Sequence, residues 1–381
     1  MKTTHRSSVQ GRVTLDVSLS AVADNFRKIS RAVSPLGVIA VLKADAYGLG
    51  MAPIARRLGK AGAAGIATAE LSEALDALDA TEGRVPVGIL GSLLPDEIVP
   101  AVRAGIRIPL SDDAEVRAVS AAAVKLGTAA RCHLAVDSGM SRVGYRVEDA
   151  ERAAQLAVSL PGIVLEGIYS HFPTANVPGD EATMAQVRAV KALVRRLAAR
   201  GISFKAVHIA NSDGVNNVSA ACRAPFTHVR TGINLHGSFD PLGNRRLRLE
   251  PVFTLRARLA QVRRVPAGAT IGYGRMFTAP REMLVGTVAA GYADGLPLAL
   301  SNRGSILVRG ALCPVIGRIC MDFTTVDLGQ VPDARPGDEA VCLGRQGGRE
   351  IGIDEWATLK GTHAYEILCA IGSRVRRVHH D

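Results

Sequence analysis

Apolar residues in the first half of the chain recur in two alternating patterns. The segment from residue 18 to 33 repeats them at helical spacing, which predicts an amphipathic helix that begins after Ser18. Short apolar runs without in–out alternation follow, and such runs are typical of parallel strands covered on both faces. They occupy residues 37–43, 64–69, 86–91, 106–111, 131–137, 164–171, 206–212 and 228–235. Most of them are separated by alanine-rich amphipathic stretches, which are predicted helices.

The number and order of these runs favour one architecture. Eight strands alternating with helices before residue 243 match the size of a (β/α)₈ barrel. A doubly wound open sheet is the alternative, because a strand count does not show closure. After about residue 243 helical spacing gives way to β-rich stretches and turn signals. We therefore predict an α/β chain with a barrel over 14–243 and a mostly β domain over 244–381, which also takes in an N-terminal strand at about 8–16.

Composition narrows the class of protein. The chain has 381 residues, is 48% hydrophobic and carries a formal net charge of +11. Its arginines are spread along helices without a nucleic-acid-binding motif, so small anionic substrates and phosphorylated cofactors explain the charge better than nucleic acid does. Six cysteines without C-x-x-C or zinc spacing predict a reduced cytoplasmic protein with no metal site. The polar start of the chain lacks a signal-peptide core, and no apolar run reaches transmembrane length, so we expect no membrane partner.

Chemically active side chains follow the ends of the predicted strands, where a barrel carries its catalytic groups. These ends carry Lys43, Asp137 with Arg142, His171, Asn211 with Ser212, and Arg230 with Gly232. The set contains no carboxylate pair for glycoside hydrolysis, no nucleophile elbow and no Walker loop. An amine among anion-binding groups indicates Schiff-base chemistry on a carbonyl. Taken alone, however, Lys43 is more simply explained as a surface lysine at a strand end.

Ordered sequence blocks carry a resemblance to a known family. The stretch "AVLKADAYGLG" resembles the pyridoxal-phosphate signature of the alanine racemases. The blocks "VDSGMSRVG", "GIYSHFPTA", "HIANS", "VRTGINLHG", "GYGRMF", "AGYADG" and "GRICMD" resemble that family's other motifs in the same order. The resemblance runs from about residue 14 to the C-terminus. It implies a (β/α)₈ barrel followed by a β domain, pyridoxal 5'-phosphate as cofactor, interconversion of L- and D-alanine, and a homodimer whose subunits share each active site.

The resemblance also implies the groups that would move protons. Lys43 would hold the cofactor covalently and act as the base on one face of the substrate, and Tyr273 of the partner subunit would be the base on the opposite face. Arg230 would face the pyridine nitrogen, which it cannot protonate, so that the cofactor is a weaker electron sink. His208 and Arg230 would supply positive character near the phenol.

Further residues would bind the cofactor and the substrate. His171 would pack against the cofactor ring, and the other cofactor contacts would come from Tyr47, Asn211, Ser212, Gly232 and Ile233. Arg142 would reach the cofactor phenolate or the substrate carboxylate, the backbone of Met321 would meet that carboxylate, and Asp322 would support it.

Some positions depart from the family pattern. Ala135 stands where many members have a lysine, in some of them carbamylated, that orients the arginine, so we expect a chloride ion or a water beside Arg142. Asn176, Leu298 and Ser373 replace larger or charged residues, which leaves serine or a broader range of substrates as an alternative to alanine. A barrel-type pyridoxal-phosphate decarboxylase of basic amino acids is a further alternative, although "GYGRMF" and "GRICMD" look like the racemase. The non-enzymatic alternatives are a cofactor-carrier protein, against which the β domain and Tyr273 argue, and a racemase-like sensor that binds the cofactor without catalysis.

Overall fold

The computed structural model describes residues 11–381, and the part of the predicted N-terminal strand before residue 11 lies outside them. The chain divides into two compact units. One is Ala21–Glu250, and the other combines residues 11–20 with Pro251–Asp381. No helix within residues 11–381 has the length and apolar character needed to cross a membrane.

The unit Ala21–Glu250 contains a parallel strand in each of the eight predicted runs. The strands are Gly37–Val41, Gly65–Thr68, Val87–Ile89, Ile108–Leu110, Ala130–Asp137, Ile163–Tyr169, Ala206–His208 and His228–Thr231. They form a four-stranded and a five-stranded sheet, the latter including the short strand Tyr145–Arg146. Every pairing within these two sheets is parallel.

Backbone hydrogen bonds join the two sheets at both seams. At one seam Arg107 N donates to Val87 O at 2.9 Å, and Ile89 N donates to Arg107 O at 3.1 Å. At the other, Thr227 N donates to Val207 O at 2.9 Å. The eight strands therefore close into a barrel, and the alternative of an open doubly wound sheet is wrong.

Helices follow the strands, as their apolar spacing predicts. The helix after Ser18 buries the predicted face, including Val22, Phe26 and Ile29. Aspartate side chains begin two others, because Asp112 accepts from Glu115 N at 2.8 Å and Asp180 from Thr183 N at 2.9 Å. The α-helices of this unit are Leu19–Val33, Lys43–Gly48, Met51–Lys60, Leu71–Ala80, Ile98–Ala104, Asp113–Leu126, Ala150–Ser159, Glu181–Ala199 and Ser212–Asn217, and the 3₁₀ turns are Ser219–Cys222 and Ile233–His236.

The second unit is built on a nine-stranded sheet. Thr14–Ser18 lies in it between Phe253–Val265, to which it is antiparallel, and Arg376–His380, to which it is parallel. The other strands of the sheet are Met283–Val288, Ser305–Val308, Ala311–Pro314, Thr324–Asp327, Glu339–Gln346 and Arg349–Ile351. A hairpin pairs Thr270–Ile271 with Phe277–Thr278. The helical segments are Tyr273–Arg275, Tyr292–Asp294, Leu298–Leu300, Ile353–Lys360 and Ala364–Cys369.

Candidate active site

Lys43 lies just beyond the first barrel strand, which ends at Val41, and it begins the segment Lys43–Gly48. The next four residues, Ala44 to Tyr47, have φ angles of 53, 52, 53 and 58° and form a left-handed turn without glycine. Such a turn costs an L-residue about 1–2 kcal/mol. These four positions contain no glycine, so the sequence did not predict this backbone geometry.

Two carboxylates hold the left-handed turn in place. Glu73 accepts hydrogen bonds from Ala44 N and from Ala69 N, the latter at 3.0 Å, and so ties the turn to the next strand–helix loop. Asp45 accepts from Met51 N at 2.7 Å. The Lys43 side chain is exposed on the single chain, so the barrel by itself does not desolvate the amine.

Four of the predicted cofactor contacts lie together behind this turn. Tyr47 is buried, and a Cβ at Gly232 would overlap its hydroxyl. Gly232 N donates to the buried Ser212 Oγ at 3.1 Å. Ile233 is buried directly after Gly232 and begins the turn Ile233–His236. Hydroxyl and backbone N–H donors thus converge where only glycine fits, which is the donor set that binds a phosphate.

Two further residues lie near this cluster. Asn211, a predicted cofactor contact, accepts through its side-chain oxygen from Gly214 N at 2.8 Å and so caps the segment Ser212–Asn217. His236 was not predicted, although its ring packs edge-on against Tyr47 with centroids 5.4 Å apart. Its position inside the block "VRTGINLHG" was the available signal.

Arg230 is the central polar group inside the barrel, with 3% of its surface exposed. Nη1 donates to His208 Nδ1 at 2.8 Å, and Nη2 donates to His171 Nδ1 at 3.0 Å. Nη2 also donates to Ser170 O at 2.8 Å. The carbonyl oxygens of His208 and Ile209 also accept hydrogen bonds from Arg230, and these are all of its acceptors within residues 11–381. Burial lowers the pKa of Arg230 to about 10, so the guanidinium stays charged at neutral pH.

Both histidines beside Arg230 are neutral. Burial and the nearby guanidinium lower the pKa of His171 to about 3 and that of His208 well below its ordinary value. His208 also stacks on the buried Tyr169 ring, with centroids 5.4 Å apart. The positive character expected of His208 is therefore supplied by Arg230 alone.

Arg142 follows a tightly turned loop. Asp137 Oδ1 accepts from the backbone N–H groups of Gly139, Met140 and Ser141 at 2.9 to 3.0 Å, and these bonds outweigh burial to lower the pKa of Asp137. Arg142 itself is exposed. Ala135 is buried and offers no charge to orient the guanidinium, so the expected chloride ion or water beside Arg142 stays a prediction.

The β unit carries the other predicted residues, Tyr273, Met321 and Asp322. Tyr273 is 70% exposed and lies between Gly272 and Gly274, whose φ angles are 75 and 70°. Glycine adopts these positive φ angles without strain, so the chain can turn tightly here and place the Tyr273 phenol at the tip of the hairpin. Met321 is also exposed.

Arg374, which the sequence did not single out, fixes the backbone around Met321. Its Nε and Nη2 donate to both oxygens of the buried Asp294 at 2.8 Å, and its Nη1 donates to Asp322 at 2.7 Å. Asp294 in turn accepts from Gly291 N at 2.9 Å, and Ala293 N donates to Met321 O at 3.1 Å. One guanidinium thus ties two loops of the β unit together.

Comparisons with known proteins agree with this arrangement. The family models described as "Alanine racemase, N-terminal domain" and "Alanine racemase, C-terminal domain" match residues 17–240 and 252–379. An alanine racemase from Desulforamulus reducens is 36% identical over 371 residues, which cover 96% of this chain and 98% of that protein. The structure of an alanine racemase from Streptomyces coelicolor is similar with a TM-score of 0.89 at 36% identity, covering 97% of this chain and 98% of that one. A Bartonella henselae alanine racemase with covalently bound pyridoxal phosphate gives a TM-score of 0.85 at 26% identity, covering 97% and 100%.

The left-handed turn makes a prediction about stability. Ala44→Gly places glycine at a φ of 53°, so we expect it to stabilise the protein by about 0.5–1 kcal/mol. The matched control is Ala121→Gly, an exposed position inside the right-handed helix Asp113–Leu126, which should destabilise by a similar amount. Urea unfolding followed by circular dichroism measures both. Loss of stability in both variants would contradict the role given to the turn.

Proposed function

Because this chain belongs to the alanine racemase family, whose members are pyridoxal-phosphate-dependent isomerases that interconvert L- and D-alanine, we propose that Lys43 and Tyr273 exchange the substrate's α-proton on opposite faces. The observation that carries this assignment is the convergence of Tyr47, Ser212 and Gly232 behind the turn that begins with Lys43.

The residues of the barrel fit the cofactor. Its phosphate would be held by the Tyr47 and Ser212 hydroxyls and by backbone N–H groups of Gly232 and Ile233. A side chain at Gly232 would fill this space, which supports a ligand that approaches the backbone closely. We assign the cofactor to the barrel of the unit Ala21–Glu250, and we assign the strand Thr14–Ser18, with Pro251–Asp381, to the β domain.

Arg230 is suited to face the cofactor's ring nitrogen. Its guanidinium donates hydrogen bonds but cannot give up a proton at neutral pH. When bound, pyridoxal phosphate supplies an electron-withdrawing ring that stabilises negative charge at the α-carbon, and less strongly where its ring nitrogen is unprotonated. Neutral His171 accepts from Arg230 through Nδ1, so its own proton is on Nε2, available as a donor beside the cofactor ring.

Inversion at a carbon requires two proton carriers. A proton removed and returned by one group on one face restores the starting configuration, whereas two groups on opposite faces invert it. We assign one face to Lys43 Nζ and the other to Tyr273 Oη. The flanking glycines that leave Tyr273 exposed support the role of this phenol as a projecting group.

The substrate carboxylate is assigned to Arg142 and to the backbone of Met321, which Asp322 and Arg374 hold in position. Arg142 is exposed, and within residues 11–381 its guanidinium makes no hydrogen bond or ion pair, which supports a role in binding an anion.

A homodimer with shared sites is supported by the surface of the β unit. Tyr273 is one of several exposed large apolar side chains there, with Met276, Tyr292, Leu298, Met321 and Phe323. Hydrogen bonds link loops that carry them, since Asn302 bridges Met276 O and Gly317 N, and Ser301 Oγ bridges Leu298 O and Ile319 N. Exposed apolar side chains on linked loops are typical of an interface. We place the dimer in the cytoplasm, because its six cysteines are free thiols.

A mixing experiment tests whether one site uses both subunits. Heterodimers of Lys43→Ala with Tyr273→Phe chains should regain about half of the wild-type racemase activity, because one of their two sites then has both groups. The matched control pairs the wild-type chain with the Lys43→Ala/Tyr273→Phe double variant, which should be inactive because each site then lacks one group. Differently tagged chains allow purification of each heterodimer. The reverse result would show that each chain carries a complete site.

The phosphate cradle predicts a loss of cofactor affinity. Gly232→Ala forces the Tyr47 hydroxyl away, so the dissociation constant for pyridoxal phosphate should rise at least about tenfold, the equivalent of one hydrogen bond to a charged group. Absorbance titration of the dialysed protein measures this constant. Gly348→Ala, at a position with open space around it, should leave it unchanged. Unchanged affinity in Gly232→Ala would show that the phosphate binds elsewhere.

The Arg374 clamp predicts a change in substrate binding. Arg374→Lys keeps the charge but cannot bind Asp294 through two nitrogens and Asp322 through a third. We expect KM for alanine to rise roughly fivefold to tenfold with kcat within about twofold, because ground state and transition state lose the same contact. Arg345→Lys, in an exposed pair with Glu350, is the control. A fall in kcat at unchanged KM would contradict the assignment.

A further inference from the structure

A line of polar side chains crosses the barrel interior on four neighbouring strands. Arg230 Nη1 lies 2.8 Å from His208 Nδ1, and His208 Nε2 lies 3.3 Å from His133 Nδ1. The other nitrogen of His133, Nε2, faces Glu166 Oε1 at 3.8 Å, a charge–dipole contact rather than a hydrogen bond. The line thus joins the cation next to the cofactor site to a carboxylate.

Each hydrogen along this line has a defined position. A guanidinium has no acceptor, so His208 Nδ1 must accept from Arg230. His208 is neutral, so its one ring proton is on Nε2, and this proton is donated to His133 Nδ1. His133 then carries its own proton on Nε2, which faces the carboxylate of Glu166. All donors point the same way, from Arg230 towards Glu166.

The far end of the line is held firmly. Arg107 Nε contacts Glu166 Oε1 at 3.0 Å, and Arg131 Nη1 contacts Glu166 Oε2 at 3.1 Å. The His133 ring fits over Gly167, where a Cβ would lie 2.6 Å from the ring. These groups line a cavity of about 290 Å³ at the N-terminal ends of the strands, opposite the end that carries Lys43.

We propose that Glu166 is a positioning residue for Arg230, acting through His133 and His208 to fix the proton positions that keep the guanidinium aimed at the cofactor's ring nitrogen. This inference rests on the proposed function for its consequence in catalysis, but not for its geometry. With the carboxylate in place, reversing His133 would set its Nδ1–H against His208 Nε2–H. Reversing His208 as well would set an N–H against Arg230.

The double variant Glu166→Gln/Arg107→Gln tests the proposal because it keeps the shape and the net charge and changes the hydrogen pattern. With Arg107 removed from the Oε1 side, Arg131 still requires an acceptor and holds the amide carbonyl oxygen at the position of Oε2. The amide NH₂ then takes the position of Oε1 and faces His133. A donor there favours an acceptor at His133 Nε2 and moves the proton of His133 to Nδ1. Nitrogen-15 NMR of holoenzyme whose histidines are labelled with nitrogen-15 shows which ring nitrogen carries the proton. Single His→Gln variants assign the signals.

We expect Nε2–H on both His133 and His208 in the wild-type protein, and Nδ1–H on at least half of His133 in Glu166→Gln/Arg107→Gln. The matched control is Arg107→Gln, which keeps the carboxylate opposite His133 and should leave both tautomers unchanged. Glu166→Gln/Arg107→Met should repeat the change in His133 if the first double variant folds poorly.

Kinetics supply the second readout. We expect kcat for alanine to fall about tenfold in Glu166→Gln/Arg107→Gln with KM within twofold, and Arg107→Gln to stay within twofold of the wild type in both. Nδ1–H on His133 in the wild-type protein, unchanged tautomers in Glu166→Gln/Arg107→Gln, or equal kcat in the two variants would each overturn the proposal. A wild-type protein with the expected tautomers but no racemase activity would instead overturn the proposed function.

Discussion

The buried guanidinium of Arg230 is the constraint that orders the interior of the barrel. A cation taken out of water is stable only if its hydrogens meet well-placed acceptors. Within residues 11–381 Arg230 meets two imidazole nitrogens and three carbonyl oxygens, and no carboxylate. Because both imidazoles must accept, their tautomers are fixed and their charged forms are disfavoured. One charged group thereby determines the hydrogen pattern of both neighbouring imidazoles.

The turn after Lys43 applies a similar principle to the backbone. Four successive left-handed residues are unfavourable on their own. The structure maintains them through two carboxylates that accept backbone N–H groups, those of Glu73 on the helix Leu71–Ala80 and of Asp45 within the turn. The left-handed turn leaves Lys43 exposed at the mouth of the barrel and buries Tyr47 behind it. Local strain is thus used to send two side chains four residues apart in different directions.

The sequence predicts most of the fold because the spacing of apolar residues indicates where the strands and helices lie. All eight barrel strands fall in the predicted runs, although closure could be seen only in the hydrogen bonds between the sheets. The left-handed turn contains no glycine that would indicate it in the sequence. Glu166 and His133 lie inside strands, where a lone polar residue gives no pairing information, and Arg374 is separated from Asp294 by 80 positions. Features that depend on long-range pairing were therefore missed, whereas those carried by short blocks were named.

The division of roles between the two units follows from what each can build. The barrel supplies a closed ring of strand ends, which suits a rigid cradle for a phosphate and a ring nitrogen. A second base on the opposite face of the substrate must come from an element that can project into a site without being part of the cradle. The glycine-flanked turn around Tyr273 is such an element, since its phenol is 70% exposed on the chain that carries it. An exposed phenol amid exposed apolar side chains is unfavourable in an isolated chain and favourable in an interface, so the same surface that would join two copies would also complete the site.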